Sequence, residues 1–140
     1  MGAINQDDIL SAFYRVLNGD ETFRGMVNSI DKGDKRRTNW TNPSCTVHIL
    51  TAPTDPESQL QHSTVLVRIW MDDLPTGQAD TKGLGERAAR VAELFHHRPP
   101  PHERVWIRQC WVQEPLILPS DQAGEHMASI AIRVTVAPRV

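Results

Sequence analysis

The sequence predicts an α+β domain: one mostly antiparallel four-stranded sheet with helices packed on one face, in the order helix, strand, strand, helix, strand, strand. Three observations predict it. The stretches "SCTVHIL", "HSTVLVRIWMDD" and "HMASIAIRVTVA" carry apolar residues at period two along one side. "GERAARVAELF" and residues 9–17 repeat apolar residues at helical spacing. Helix stripes and strand faces are the only apolar surfaces large enough to cover each other. The 140 residues match one ordinary domain, 1–140. A chain of that length buries about 68% of its unfolded surface, so it needs no disulfide or metal to fold.

Each element has its own warrant. Asp7 and Asp8 stand before Ile9, Phe13 and Val16, with Leu10, Tyr14 and Leu17 beside them: acidic residues at the positive end of a helix that Gly19 closes. Phe23, Met26, Val27 and Ile30 keep helical spacing and predict a second short helix. "DKGDKRRTNWTNP", residues 31–43, reads as a charged loop. In the first strand Cys45, Val47 and Ile49 face inward, with Thr46 and His48 outward. "TAPTDPESQLQ" is a connector. In the second strand Val65, Val67, Ile69 and Met71 share the core face, and Thr64, Leu66, Arg68 and Trp70 the other. A polar loop over 72–81 follows, then a helix whose face is Leu84, Ala88, Val91 and Phe95. The prolines of "HHRPPPHE" end it. "RVWIRQCWVQ" is the third strand, with Trp106 and Cys110 on one side and Val105, Ile107 and Trp111 on the other. "EPLILPSDQAGE" reads as a long connection. The last strand turns Ala128, Ile130, Ile132, Val134 and Val136 inward and Ser129, Ala131, Arg133 and Thr135 outward.

Composition narrows the function. A net charge of −2 and a pI near 6.3 argue against a sequence-independent nucleic-acid binder. Cys45 and Cys110 form no CxxC pair and no disulfide framework, and read as reduced, half-buried thiols of a cytosolic protein. "MGAINQDD" lacks the basic start and apolar run of a signal peptide, and no run approaches the roughly 18 apolar residues of a membrane span. His96, His97 and His102 flank "RPPP" without the carboxylates or cysteines of a metal site, and read as exposed histidines near a helix C-terminus, where positive charge is tolerated. Asp72, Asp73 and Glu114 close strands, where carboxylates hold magnesium in some hydrolases. No lysine or other polar partner stands at a matching strand position, so loop carboxylates are the favoured reading. "KGLGER" lacks the spacing and trailing lysine-serine of a phosphate-binding loop and reads as helix entry. No nucleophile, cofactor or metal motif is present, and the expectation is a protein that is not an enzyme.

The helix-free sheet face poses the functional question. It carries Thr46, His48, Leu66, Arg68, Trp70, Ser129, Arg133 and Thr135, plus at least one tryptophan of the third strand. A solvated face accounts for the small polar residues, with arginine stems lying over rings. Tryptophan and arginine are the types enriched at interface hot spots, so contact of this face or its rim with another subunit is the favoured reading.

Taken together, the N-terminal amphipathic helix, the charged loop, "VLVRIWMDD", "GERAARVAELF" and the closing "ASIAIRVTVAP" resemble the tail-terminator (tail-completion) proteins of long-tailed bacteriophages and phage-like particles. The resemblance spans nearly the whole chain and is one of pattern. It implies a homo-oligomeric, hexameric ring that caps the tail tube, ends tube polymerisation and docks the head connector or stopper. DNA passes through its lumen without specific binding, and the protein resides in the virion, assembled in the host cytoplasm. On that reading Arg68, Trp70, Trp106 and Arg133 make subunit contacts. Lys35, Arg36, Arg37, Asp72 and Asp73, in the two charged loops, meet neighbouring rings along the axis. The alternatives are another neck joining protein, or a small hydrolase with metal at Asp72, Asp73 and Glu114.

Overall fold

The computed structural model describes residues 4–54 and 59–139, the side chains of 51–54 excepted. Helix α1 (Gln6–Gly19) is capped by Asn5, whose side chain accepts from the Asp7 N–H. It buries Ile9, Ala12, Phe13 and Leu17. Asp20 then caps α2 (Glu21–Arg24), accepting from the Phe23 N–H at 2.8 Å. Strands β1 (Ser29–Lys32), β2 (Ser44–Thr54) and β3 (Gln61–Asp72) come before α3 (Thr81–Phe95). Strands β4 (Val105–Val112), β5 (Leu116–Pro119) and β6 (Glu125–Pro138) follow it. The connector expected over 51–61 lies partly outside the described residues; its first part continues β2.

The class expected from the sequence is met, and the sheet differs in detail. It has six strands rather than four, and it is mixed: β1 runs parallel to β2, and the other pairs are antiparallel. The order is β1-β2-β3-β6-β4, with β5 also on β6. Strands β4 and β5 lie along the same edge of β6, since Val112 pairs with Ile132 and Leu116 with Ser129. The second helix is shorter than expected. Ile30, read as its last apolar position, lies in β1 and pairs with Cys45 of β2.

The stretch read as a connection over 114–125 holds β5 and the turn of a β5–β6 hairpin. Gly124 takes φ +82° in that turn, a left-handed conformation that glycine adopts without steric cost. Strand β4 also departs from strict alternation. A register shift between Ile107 and Gln109 puts Val105, Ile107 and Cys110 in the core and leaves Trp106 and Trp111 exposed. The two tryptophans therefore share the helix-free face, where strict alternation had placed them apart.

The core lies between that sheet and the helices. Val47, Val65, Val67, Ile69, Ile130, Ile132 and Val136 are fully buried with Phe13, Leu84, Val91 and Phe95. The Phe13 and Phe95 rings meet at 4.9 Å between centroids. Asp80 caps α3 by accepting from the Gly83 N–H at 2.9 Å. A Cβ on Gly83 would come within 2.6 Å of the Asp80 carboxylate and 2.8 Å of Met71, so the glycine of "KGLGER" serves close packing at the helix entry.

Candidate assembly surface

The helix-free face divides into a sealed end and an open end. At the sealed end the loop 33–43 folds back over β3. Arg36 lies between two indoles, its guanidinium 4.1 Å from the Trp40 ring centroid and 4.4 Å from that of Trp70. The same guanidinium donates to both oxygens of Glu125, at 2.7 and 3.0 Å. Asn42 donates to Glu125 at 2.6 Å and to Asp72 at 2.8 Å, and Ser120 donates to Glu125 at 2.7 Å. The side chains of Arg36 and Glu125 are only 8% and 5% exposed. Burial pushes the Glu125 carboxyl up, but the hydrogen bonds from Arg36, Asn42 and Ser120 outweigh it and hold the group below its ordinary range.

The residues singled out from the sequence therefore fall into different environments. Trp70 is 7% exposed, its ring covered by Arg36 of the same chain. Arg37 pairs with Asp31 at 2.8 Å, and Lys35 is exposed. Asp72 is tied to Asn42 and Asp73 to His126. Arg68 is half-buried beside Thr46 of β2 and Ser129 of β6, and among the described residues its Nε and the Thr46 hydroxyl have no hydrogen-bond partner. Arg133 and Trp106 lie at the open end and are exposed. Among the described residues, no three of His, Cys, Asp and Glu cluster as a metal site would require, and no helix is long and apolar enough to cross a membrane.

The helix-free face carries apolar surface beyond the Trp106 singled out from the sequence: Trp111 at the open end, and β5 toward the sealed end, where Leu118 and Trp70 both pair with Met127. Trp111 is 54% exposed and pairs across the strands with Arg133; Trp106 is 50% exposed. Leu116 of β5 is 62% exposed, and Leu118 follows on the same face. Ile117, on the opposite face, is still 39% exposed, so the helical layer does not cover β5. Strand β5 is thus apolar and open on both sides, at the edge of the sheet. Leu116, Ile117 and Leu118 stand between Pro115 and Pro119 in the sequence, and that apolar triplet was the signal available. The His96 and His97 rings pack edge-on against Trp111, at 4.9 and 5.3 Å. Val112 N–H donates to His96 Nδ1 at 3.1 Å, which anchors the end of α3 along β4. His102, read from the sequence as exposed, is buried.

Solved structures supply the comparison. One chain in the "Virion of native gene transfer agent (GTA) particle" superposes with a TM-score of 0.73 at 13% identity, covering 93% of this chain and 95% of that one. The two share one fold. A second solved chain superposes at 0.68 with 15% identity, covering 95% of this chain and 96% of that one. No protein-family model and no curated protein matches the sequence.

Proposed function

We propose that this chain is a structural virion protein of a phage-like particle. It forms a closed ring that caps the tail tube, ends tube polymerisation and joins the tail to the head connector or stopper. The observation that carries the reading is the nearly full-length fold likeness to a chain of the gene transfer agent virion. The exposed Trp106, Trp111, Leu116 and Leu118 support it, because exposed apolar side chains accompanied by tryptophan and arginine are typical of protein interfaces. A cap must end growth, and head-to-tail contacts between identical subunits end growth when their rotation closes. The proposed ring is sixfold, and its role is assembly rather than catalysis.

The open end supplies one side of the subunit contacts, with Trp106 and Arg133 from the original set joined by Trp111, and Leu116 and Leu118 of β5, toward the sealed end, supply the other. Lys35, Arg37 and the exposed part of loop 73–80 remain available for axial contacts with tube protein and connector. Arg36, Trp70 and Asp72 act by fixing the loop that presents those groups. A mildly acidic subunit suits a lumen through which DNA slides without specific binding.

Deletion of the chain in cells that produce the particle tests this. Electron microscopy is expected to show tails of uncontrolled length, or tails that never join heads. Tails of normal length attached to heads would overturn the reading.

A further inference from the structure

At the open end the sheet face forms a groove of about 730 Å³ between β3, β6, β4 and the segment after α3. Arg108, Arg133, His62 and His97 line it, with Trp111 as an aromatic wall, and no carboxylate does. Among the described residues neither arginine has a carboxylate partner: Arg133 pairs across the strands with Thr64 and Trp111, and Arg108 stacks on Trp106 at 5.0 Å. In a protein with 17 acidic residues and a net charge of −2, this concave surface is thus free of acid among the described residues. Two guanidinium groups with no carboxylate partner among the described residues, beside an exposed indole, suit a carboxylate carried on an apolar stem.

The chain itself presents such a stem. The β5–β6 hairpin puts Leu116, Ile117 and Leu118 in the open and carries Asp121 in its turn. Asp121 lies 3.3 Å from the Ser120 hydroxyl, whose proton goes to Glu125 at 2.7 Å, and is exposed. The hairpin cannot fill its own groove. Arg133 lies eight residues along β6 from Glu125, about 27 Å at strand rise, and the turn projects beyond the opposite end of that strand. A second copy can fill it.

We infer that the β5–β6 hairpin of one subunit seats in the Arg108–Arg133 groove of the next, with Asp121 on the guanidinium groups and Leu116 and Leu118 against Trp111. Knob and hole lie at opposite ends of one strand, so the contact is head-to-tail, the kind that builds a ring. The inference rests on the ring reading and names the surfaces that would make it.

Charge reversal tests it on the full chain. Arg133→Glu and Asp121→Arg are each expected to reduce the copies of this chain in purified particles at least tenfold, read by quantitative immunoblot. The double variant is expected to restore at least half of them. Both sites are exposed, and circular dichroism melts should be unchanged in all three. In parallel, a Gln122→Cys/Thr135→Cys chain, which keeps Asp121 and Arg133, should give a ladder of cross-linked copies in particles with a short bismaleimide. Single variants that incorporate normally, a double variant that fails to recover, or no ladder would overturn the hairpin contact. If a ring is still present in those particles, the ring reading stands without it. If wild-type particles contain no ring of this chain, both fall.

Discussion

Replacing Arg36 removes the cation at the centre of the sealed end. Arg36→Met keeps an unbranched side chain between Trp40 and Trp70 but leaves Glu125 buried without its cation. Removing one partner of a buried ion pair costs about 3–5 kcal/mol, chiefly because the remaining charge is uncompensated. Asn42 and Ser120 still donate to Glu125, which favours the lower end. The two lost cation–π contacts add about 1 kcal/mol or more together. The expected loss is about 3–4 kcal/mol at pH 7, or roughly a 10 °C fall in Tm for a chain of this size. Urea denaturation followed by tryptophan fluorescence measures it.

The pH dependence identifies the cause. In the native chain Glu125 is held below its ordinary value, so its contribution is full above about pH 4.5 and is lost as pH falls through the folded value. In Arg36→Met burial dominates and raises the Glu125 pKa above its unfolded value. Protonation on acidification then relieves the variant, and the stability gap should narrow between pH 7 and pH 4. Arg36→Met/Glu125→Leu should recover most of the loss, since no charge is left stranded. A loss below about 1 kcal/mol at pH 7, or a gap that widens on acidification, would refute the reasoning.

Two further outcomes follow from the core. Val67→Asp should leave the chain unfolded or aggregated, because Val67 is fully buried and an unpaired charge there costs several kcal/mol; unchanged thermal melting would contradict the core assignment. Burial pushes the Cys110 thiol up to about 12 and the Cys45 thiol higher still, so both should resist iodoacetamide at pH 8 in the native chain and react in urea; rapid native alkylation, read by mass spectrometry, would contradict it.

The core was legible because its signals are local. One face of β3 and β6 is apolar at period two, and α1 and α3 each carry a stripe at helical spacing, so Val65, Val67, Ile69, Ile130, Ile132, Phe13, Val91 and Phe95 were all placed correctly. The missed parts depend on distant contacts. Strand β1 has only four residues and no alternation, and Ile30 happens to fall at helical spacing from Phe23. Strand β5 is bounded by prolines, which mark turns, yet Pro119 is tolerated at an exposed strand end. The β4 bulge moved Trp111 relative to Trp106 by an insertion that periodicity cannot reveal. Parity turned Trp70 outward correctly, but its cover, Arg36, comes from a loop far away in sequence.

Cryo-electron microscopy of the assembled particle tests the central claim most directly. A single ring of six copies of this chain is expected between the last layer of the tail tube and the head connector, with the open ends of the sheets at the subunit boundaries. Density showing the chain as isolated monomers, repeated along the tube, or absent from the particle would contradict it.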